Sequence, residues 1–148
     1  MTEKVIKPEE VILGAEQILA IYGRWPDMHD FEIPKVIFEQ ELPDDEFGPF
    51  ITVFVHMWTA DKSGYSKHNI VGIRFNNVIE HDSSGFSHQN VIDDITFKSD
   101  KDNANNQIYR VNVPDIFGFG ATITCRSIEI VSIEPGAPPH SQYTKDRR

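Results

Sequence analysis

The sequence predicts an α+β domain dominated by β-structure, in which one N-terminal helix packs on a bent, mostly antiparallel sheet or partial barrel. An apolar period of about 3.6 residues occupies only the start of the chain and then gives way to alternation. The connections between alternating segments have the length of hairpins, too short for the crossovers of a parallel sheet. The 148 residues suit one domain. We expect it to span residues 1–136, followed by a disordered tail over residues 137–148.

The helix is predicted over Pro8 to Tyr22. Its apolar residues follow the stripe of a buried helical face: Val11, Ile12, Ala15, Ile18, Leu19 and Tyr22. Pro8 suits the first helical position, and Gly23 is placed to end the helix in a left-handed conformation.

The segments after the helix predict five or six strands. They cover Phe31–Leu42, Phe50–Trp58, Val71–Phe75, Ile108–Val113 and Phe119–Ile133. Phe50–Trp58 is apolar on both parities apart from Thr52 and His56, which predicts a strand covered on both faces. Pro34 predicts an edge position or a bulge in the first strand, because proline cannot donate to a ladder. The apolar parity of the last segment shifts near Arg126 and Ser127, which predicts a bulge or a bend. Polar stretches at Asp82–Gly85 and Ser99–Gln107 are predicted to be loops.

Composition excludes several kinds of partner. The formal net charge of −9 at pH 7 repels nucleic acid and anionic membranes and would attract a basic protein. No apolar run approaches the roughly 20 residues of a membrane span, and the N-terminus lacks the pattern of a secretory signal. A single cysteine, Cys125, excludes an internal disulfide and reads as a small core residue. We therefore expect a soluble cytoplasmic protein that binds neither nucleic acid nor membrane.

The densest polar cluster follows the helix. His29, Asp30 and Glu32, joined by the distant His88, could in principle ligate a divalent metal. No HExxH, CxxC or HxH spacing supports that interpretation. We favour a structural one, in which Trp25 and Pro26 pack the helix exit while His29 and Asp30 bond backbone groups at a sharp corner.

A second cluster comprises Phe86, Ser87, His88, Gln89 and Asn90. The nearby serines and histidines suggest a hydrolase, but the Gly-x-Ser-x-Gly elbow of such a nucleophile is missing. Polar side chains after a buried aromatic residue more often satisfy turn backbone groups. Neither cluster predicts a cofactor, a metal or a catalytic residue.

Together these segments resemble the immunity protein 50 family. The resemblance covers about residues 11 to 136 and rests on the order of its pieces, of which the first and third are the specific ones. They are Gly23-x-Trp25-Pro26-x-x-His29-Asp30-x-Glu32, Val71–Phe75, Phe86-x-His88-Gln89-Asn90, Cys125–Ile130 and the closing Glu134-Pro135-Gly136. It implies an antidote of a bacterial polymorphic toxin system, which binds and neutralises a cognate toxin domain stoichiometrically and is not an enzyme. It implies no functional role for any motif residue.

The negative charge suggests where such a toxin would bind. We expect the contact to involve Asp44, Asp45, Glu46, Asp93 and Asp94. Two alternatives stay open: a small metal-assisted hydrolase that uses His29, Asp30 and His88, and a ligand-binding β-domain whose aromatic residues line a cavity. No oligomeric state is predicted.

Overall fold

The structure is a computed structural model that describes residues 3–43 and 46–144, and the side chain of Glu46 is outside that description. Eleven strands form two antiparallel sheets in the described chain. Sheet 1 has the order β1-β7-β8-β10-β5, and sheet 2 has the order β11-β4-β3-β2-β6-β9. The strands are β1 (Lys4–Val5), β2 (Glu32–Leu42), β3 (Glu46–Asp61), β4 (Gly64–Asn76), β5 (Glu80–Ser84), β6 (Val91–Ile92), β7 (Thr96–Lys101), β8 (Gln107–Val113), β9 (Asp115–Phe117), β10 (Gly120–Cys125) and β11 (Ser127–Pro135).

The β-dominant α+β class is confirmed, but the sheet is divided in two where we expected a single bent sheet or partial barrel. Inward-facing residues of both sheets meet in one hydrophobic cluster. It includes Val53 and Val55 of β3, Ile73 and Phe75 of β4, Phe97 of β7, Val111 of β8 and Ile123 of β10. Burial of these side chains supplies most of the driving force for folding.

The expectation of one N-terminal helix was wrong. The apolar stripe is divided between α1 (Pro8–Val11) and α2 (Ala15–Tyr22). Between them, the N–H of Leu13 donates to the carbonyl of Ile128 (2.9 Å), and the carbonyl of Leu13 accepts from the N–H of Ile130 (2.8 Å). These bonds to β11 remove Leu13 from the helical pattern, and Gly14 then enters α2 with a left-handed φ of 85°.

The parity shift predicted near Arg126 marks the crossing between the two sheets. Strand β10 ends at Cys125 in sheet 1, and β11 begins at Ser127 in sheet 2. One long segment can therefore bury apolar residues of opposite parity on either side of Arg126.

Pro34 coincides with an irregularity in β2, as its missing N–H predicts. The pairing of β2 with β3 shifts register between Glu32 and Lys35. Beyond Glu32, which pairs with Val91, the rest of β2 pairs only with β3 among the described strands. Most of β2 is therefore an edge.

Parts of two segments expected to be loops belong to strands. Residues 82–84 are the end of β5, which pairs with β10, and residues 99–101 are the end of β7, which pairs with β8. The second predicted loop is therefore shorter than expected. It is a turn in which the N–H of Asp102 donates to the carbonyl of Asn106 (2.9 Å).

The segment beyond residue 136 packs on the domain as far as Thr144, although the sequence suggested a frayed tail. A short 3₁₀ helix covers Gln142–Thr144. Ser141 is 3% exposed and Tyr143 is 8% exposed, and the ring of Tyr143 stacks on Trp58 with centroids 4.5 Å apart. The segment lacks an apolar period because two side chains, rather than a repeating face, attach it. No helix in the described ranges is long and apolar enough to cross a membrane.

Candidate functional site

His29 lies at the centre of an acidic surface, which we call the acidic corner and define as Asp27, His29, Asp30, Asp93 and Asp94. It is built by the loop after α2 and the loop after β6. The Nδ1 atom of His29 is 2.9 Å from Asp93 Oδ1, and its Nε2 atom is 3.5 Å from Asp30 Oδ1. The four carboxylates and one imidazole form a surface that favours positive charge.

The backbone sets these positions. Asp30 adopts a left-handed φ of 72° and donates its N–H to the carbonyl of Ile92 (2.8 Å), which joins the loop to β6. The carboxylate of Asp94 accepts the N–H of Met28 (3.0 Å). The side chain of His29 contacts the side chains of Asp30 and Asp93, where the sequence suggested bonds to backbone groups.

The electrostatics of the acidic corner follow from these contacts. The hydrogen bond with Asp93 and the charge of Asp30 raise the pKa of His29. The N–H of Asp94 and the ring of His29 lower the pKa of Asp93. Partial burial and the neighbouring charges of Asp27 and Asp93 raise the pKa of Asp94, against the bond from Met28. A cation that approached the corner would relieve this repulsion between carboxylates.

The structure separates the residues that could have formed a metal site. His29 and Asp30 are in contact, whereas Glu32 is bonded to His56. His88 belongs to another loop, where it lines a depression of about 520 Å³ together with Glu32, His140 and Ser141, away from His29 and Asp30. Across the part of the chain that the structure describes, no group of three or more His, Cys, Asp and Glu side chains is arranged to hold a metal ion.

Sequence reasoning missed a buried polar cluster around His56. This ring is 0% exposed; its Nδ1 atom is 2.8 Å from Glu32 Oε1 and its Nε2 atom is 2.9 Å from His68 Nδ1. The hydroxyl of Ser141 donates to Glu32 Oε1 (2.5 Å) and accepts the N–H of Tyr143 (3.1 Å). A histidine within the apolar run of β3 was the available signal, because a buried polar residue requires a partner.

The cluster has a serine, a histidine and a glutamate but not the order of a catalytic triad. A triad places acid and nucleophile on opposite nitrogens of the imidazole, whereas Glu32 and Ser141 both lie on the Nδ1 side of His56 (2.8 and 3.5 Å). Burial acts to raise the pKa of Glu32, but hydrogen bonds from His56 and Ser141 outweigh it and lower that pKa. The cluster attaches the C-terminal segment to the sheet.

Asn90 fixes the loop that holds the second motif. Its Oδ1 atom accepts the N–H groups of Ser87 (2.9 Å) and Phe119 (3.0 Å), and its Nδ2 group donates to the carbonyls of Ser87 (2.9 Å) and Ile33 (3.3 Å). The side chains of Phe86, His88 and Gln89 are exposed around it. Asn90 therefore orders a loop whose other side chains face outward.

Two glycines allow this loop to approach its neighbour. A Cβ atom on Gly85 would lie 2.3 Å from the carbonyl oxygen of Gly118, and one on Gly118 would lie 2.4 Å from Asn90 Oδ1. Both residues also have positive φ. The packing of the loop depends on the absence of side chains at both positions.

The remaining predicted residues fall in different places. Asp44 and Asp45, with the side chain of Glu46, lie outside the described residues. Pro26 is buried and Trp25 packs edge-on against Phe97 with ring centroids 6.4 Å apart. Cys125 is buried, and burial raises the pKa of its thiol to about 12. Phe31 and Phe75 pack in the core, which speaks against aromatic residues lining an interior ligand cavity.

The protein is a β-rich domain in which His56 and Asn90 bond other groups of the protein and the acidic corner is exposed. Residues 14–136 match the family model described as immunity protein 50. Because the match covers most of the chain, the protein belongs to the immunity protein 50 family. Comparisons with curated proteins and with solved structures gave no significant match.

Proposed function

We propose that the protein is a cytoplasmic antidote that binds a cognate bacterial toxin domain in a one-to-one complex and neutralises it. Membership of the immunity protein 50 family carries this proposal. An antidote of this kind acts by covering a surface of the toxin, so it needs affinity rather than a site that stabilises a transition state.

The internal contacts support binding over catalysis. His29 is engaged by Asp93 and Asp30, and His56 is engaged by Glu32 and His68. In both rings the nitrogen opposite the carboxylate faces Asp30 or His68 rather than the hydroxyl or thiol of a nucleophile.

The charge of the protein supports a basic toxin. The net charge of −9 would speed the arrival of a basic partner, since long-range attraction raises association rates. We propose the acidic corner as the surface that the toxin contacts first. It includes Asp93 and Asp94, two of the contact residues expected from the sequence. Asp44, Asp45 and Glu46 remain proposed contacts on sequence grounds alone.

The direct test uses the polypeptide encoded beside this gene as the candidate toxin domain. The purified antidote and this toxin domain should elute together with a mass of one copy of each, and toxin activity should vanish at a one-to-one ratio. Separate elution with unchanged toxin activity would overturn the proposed function.

The role of the acidic corner is tested with Asp30→Asn combined with Asp93→Asn. Asparagine tolerates the left-handed φ of Asp30 and keeps the shape of both side chains. The matched control, Glu16→Gln with Glu134→Gln, removes the same charge from exposed positions on α2 and β11. We expect the corner variant to associate about tenfold more slowly at low salt, with the difference shrinking at high salt. Equal rates for the two variants would remove the corner from the interface.

A further inference from the structure

An uncharged cleft opens between the two sheets on the side where β5 and β2 run along their edges. It has a volume of about 360 Å³ and is lined by Val36, Phe38, Ser83, Ser84, Gly85, Phe86 and Phe119. Strand β5 ends sheet 1, and this part of β2 pairs only with β3 among the described strands. The cleft is therefore a place where the interior between the sheets reaches the surface.

Two phenylalanines border the cleft and remain exposed. Phe38 is 52% exposed and Phe86 is 53% exposed. The ring of Phe38 lies beside His81, with centroids 5.6 Å apart, and the ring of Phe86 rests edge-on against Phe119 at 6.2 Å. Large apolar side chains held half out of water at a concave site are typical of binding surfaces.

The loop that presents Phe86 is already ordered. Asn90 bonds Ser87 twice and joins the loop to Ile33 and Phe119. Phe86 also lines the neighbouring depression that contains Pro34 and His88. Binding to a preorganised loop avoids much of the entropy cost of ordering it.

The charges beside the cleft define the partner. The two strands that border it carry five carboxylates against Lys35, and Arg110 of β8 lies 3.8 Å from one of them, Glu80. The carboxylates are Glu32, Glu39, Glu41, Glu80 and Asp82. On β2, Glu39 and Glu41 have the opposite parity to Phe38, so they point away from the cleft along its outer side. An apolar side chain flanked by lysine or arginine would match both the uncharged cleft and its acidic surroundings.

We propose that this cleft receives an apolar side chain from a positively charged segment of the toxin domain, with Phe86 and Phe38 as the main binding residues. The inference rests on the proposed function and adds the surface and the chemistry of the contact. It also gives the Phe86–Asn90 motif a role, in which Asn90 positions the loop and Phe86 makes the contact.

The test measures the Kd of the toxin domain used above by surface plasmon resonance. It compares Phe86→Ser and Phe38→Ser with a control, Leu13→Ser. Leu13 is 61% exposed and lies beside β11. In sheet 2, β4 and β3 lie between β11 and the cleft strand β2, so Leu13 is a control away from the cleft. We expect each cleft variant to weaken the Kd at least about tenfold, mainly through faster dissociation. The control should stay within about twofold of the wild type.

A third variant, Ser84→Trp, blocks the cleft without removing an apolar contact. Ser84 is exposed and lines the cleft, so the indole would occupy the space of the incoming side chain. We expect a loss of at least about tenfold in affinity here as well. If the wild type binds the toxin domain and all three variants bind it with the same affinity, this inference is overturned and the proposed function stands. If the wild type forms no complex, the proposed function fails and this inference fails with it.

Discussion

Replacing Asn90 by alanine should destabilise the protein more than any exposed asparagine would. The substitution removes four hydrogen bonds, three of 2.9–3.0 Å and one of 3.3 Å. A net value of about 1 kcal/mol for each, with less for the longest, gives about 3–4 kcal/mol. Phe119 is only 3% exposed, so its N–H would be left without water or a partner.

A loss of this size is a large share of the roughly 5–15 kcal/mol that stabilises a typical domain. Urea unfolding should show a lower midpoint with an unchanged m-value, and Tm should fall by about 10 °C. Asn103→Ala is the control, because Asn103 is exposed in the turn after β7; it should change the free energy of unfolding by less than about 0.5 kcal/mol. A loss below about 1 kcal/mol for Asn90→Ala would refute the argument, since the four bonds would then be replaceable by water.

Three further predictions concern titratable groups. The pKa of Glu32 lies below its ordinary value of 4.5, so its carboxylate stabilises the fold fully above about pH 4.5 and loses that contribution as the pH falls through the lowered pKa. Urea unfolding of the wild type should therefore weaken more steeply below pH 4.5 than that of Glu32→Gln, and parallel curves would contradict this. Asp93→Asn should lower the pKa of His29 in an NMR titration, because Asp93 is the main cause of its elevation; an unchanged pKa would show that the contact is absent in solution. Cys125 should resist a thiol reagent at pH 8 until urea is added, because the thiol is buried with a pKa of about 12; rapid labelling of the folded protein would disprove its burial.

Local patterns predicted the elements whose apolar residues repeat. The parity shift near Arg126 indicated that the buried side chains change from odd to even positions. The structure shows that the chain crosses from one sheet to the other there. Pro34 reported an irregular edge because a missing N–H has a local effect. In both cases the cause lies within a few neighbouring residues.

Contacts between distant segments could not be predicted in this way. The break at Leu13 depends on bonds to Ile128 and Ile130, and α1 and α2 otherwise share one helical stripe. Strand β5 is polar because its side chains lie at an edge, so its sequence resembles a loop.

The site followed the same division. His29 and Asp30 are neighbours in sequence and in space, but the partner of Glu32 lies 24 residues away in His56, and Ser141 lies 109 residues away. An isolated polar residue in an apolar strand indicates that a partner exists without naming it. The cleft was also out of reach, because Phe38 and Phe86 belong to segments that only the fold brings together.

The attachment of Tyr143 to Trp58 gives the protein a built-in optical reporter. The indole N–H of Trp58 is buried and has no hydrogen-bond acceptor among the described residues, while the other tryptophan, Trp25, lies against Phe97. In a Trp25→Phe background the emission spectrum comes from Trp58 alone. A shift to longer wavelength would then record release of the C-terminal segment, separately from a loss of circular dichroism when the sheets unfold.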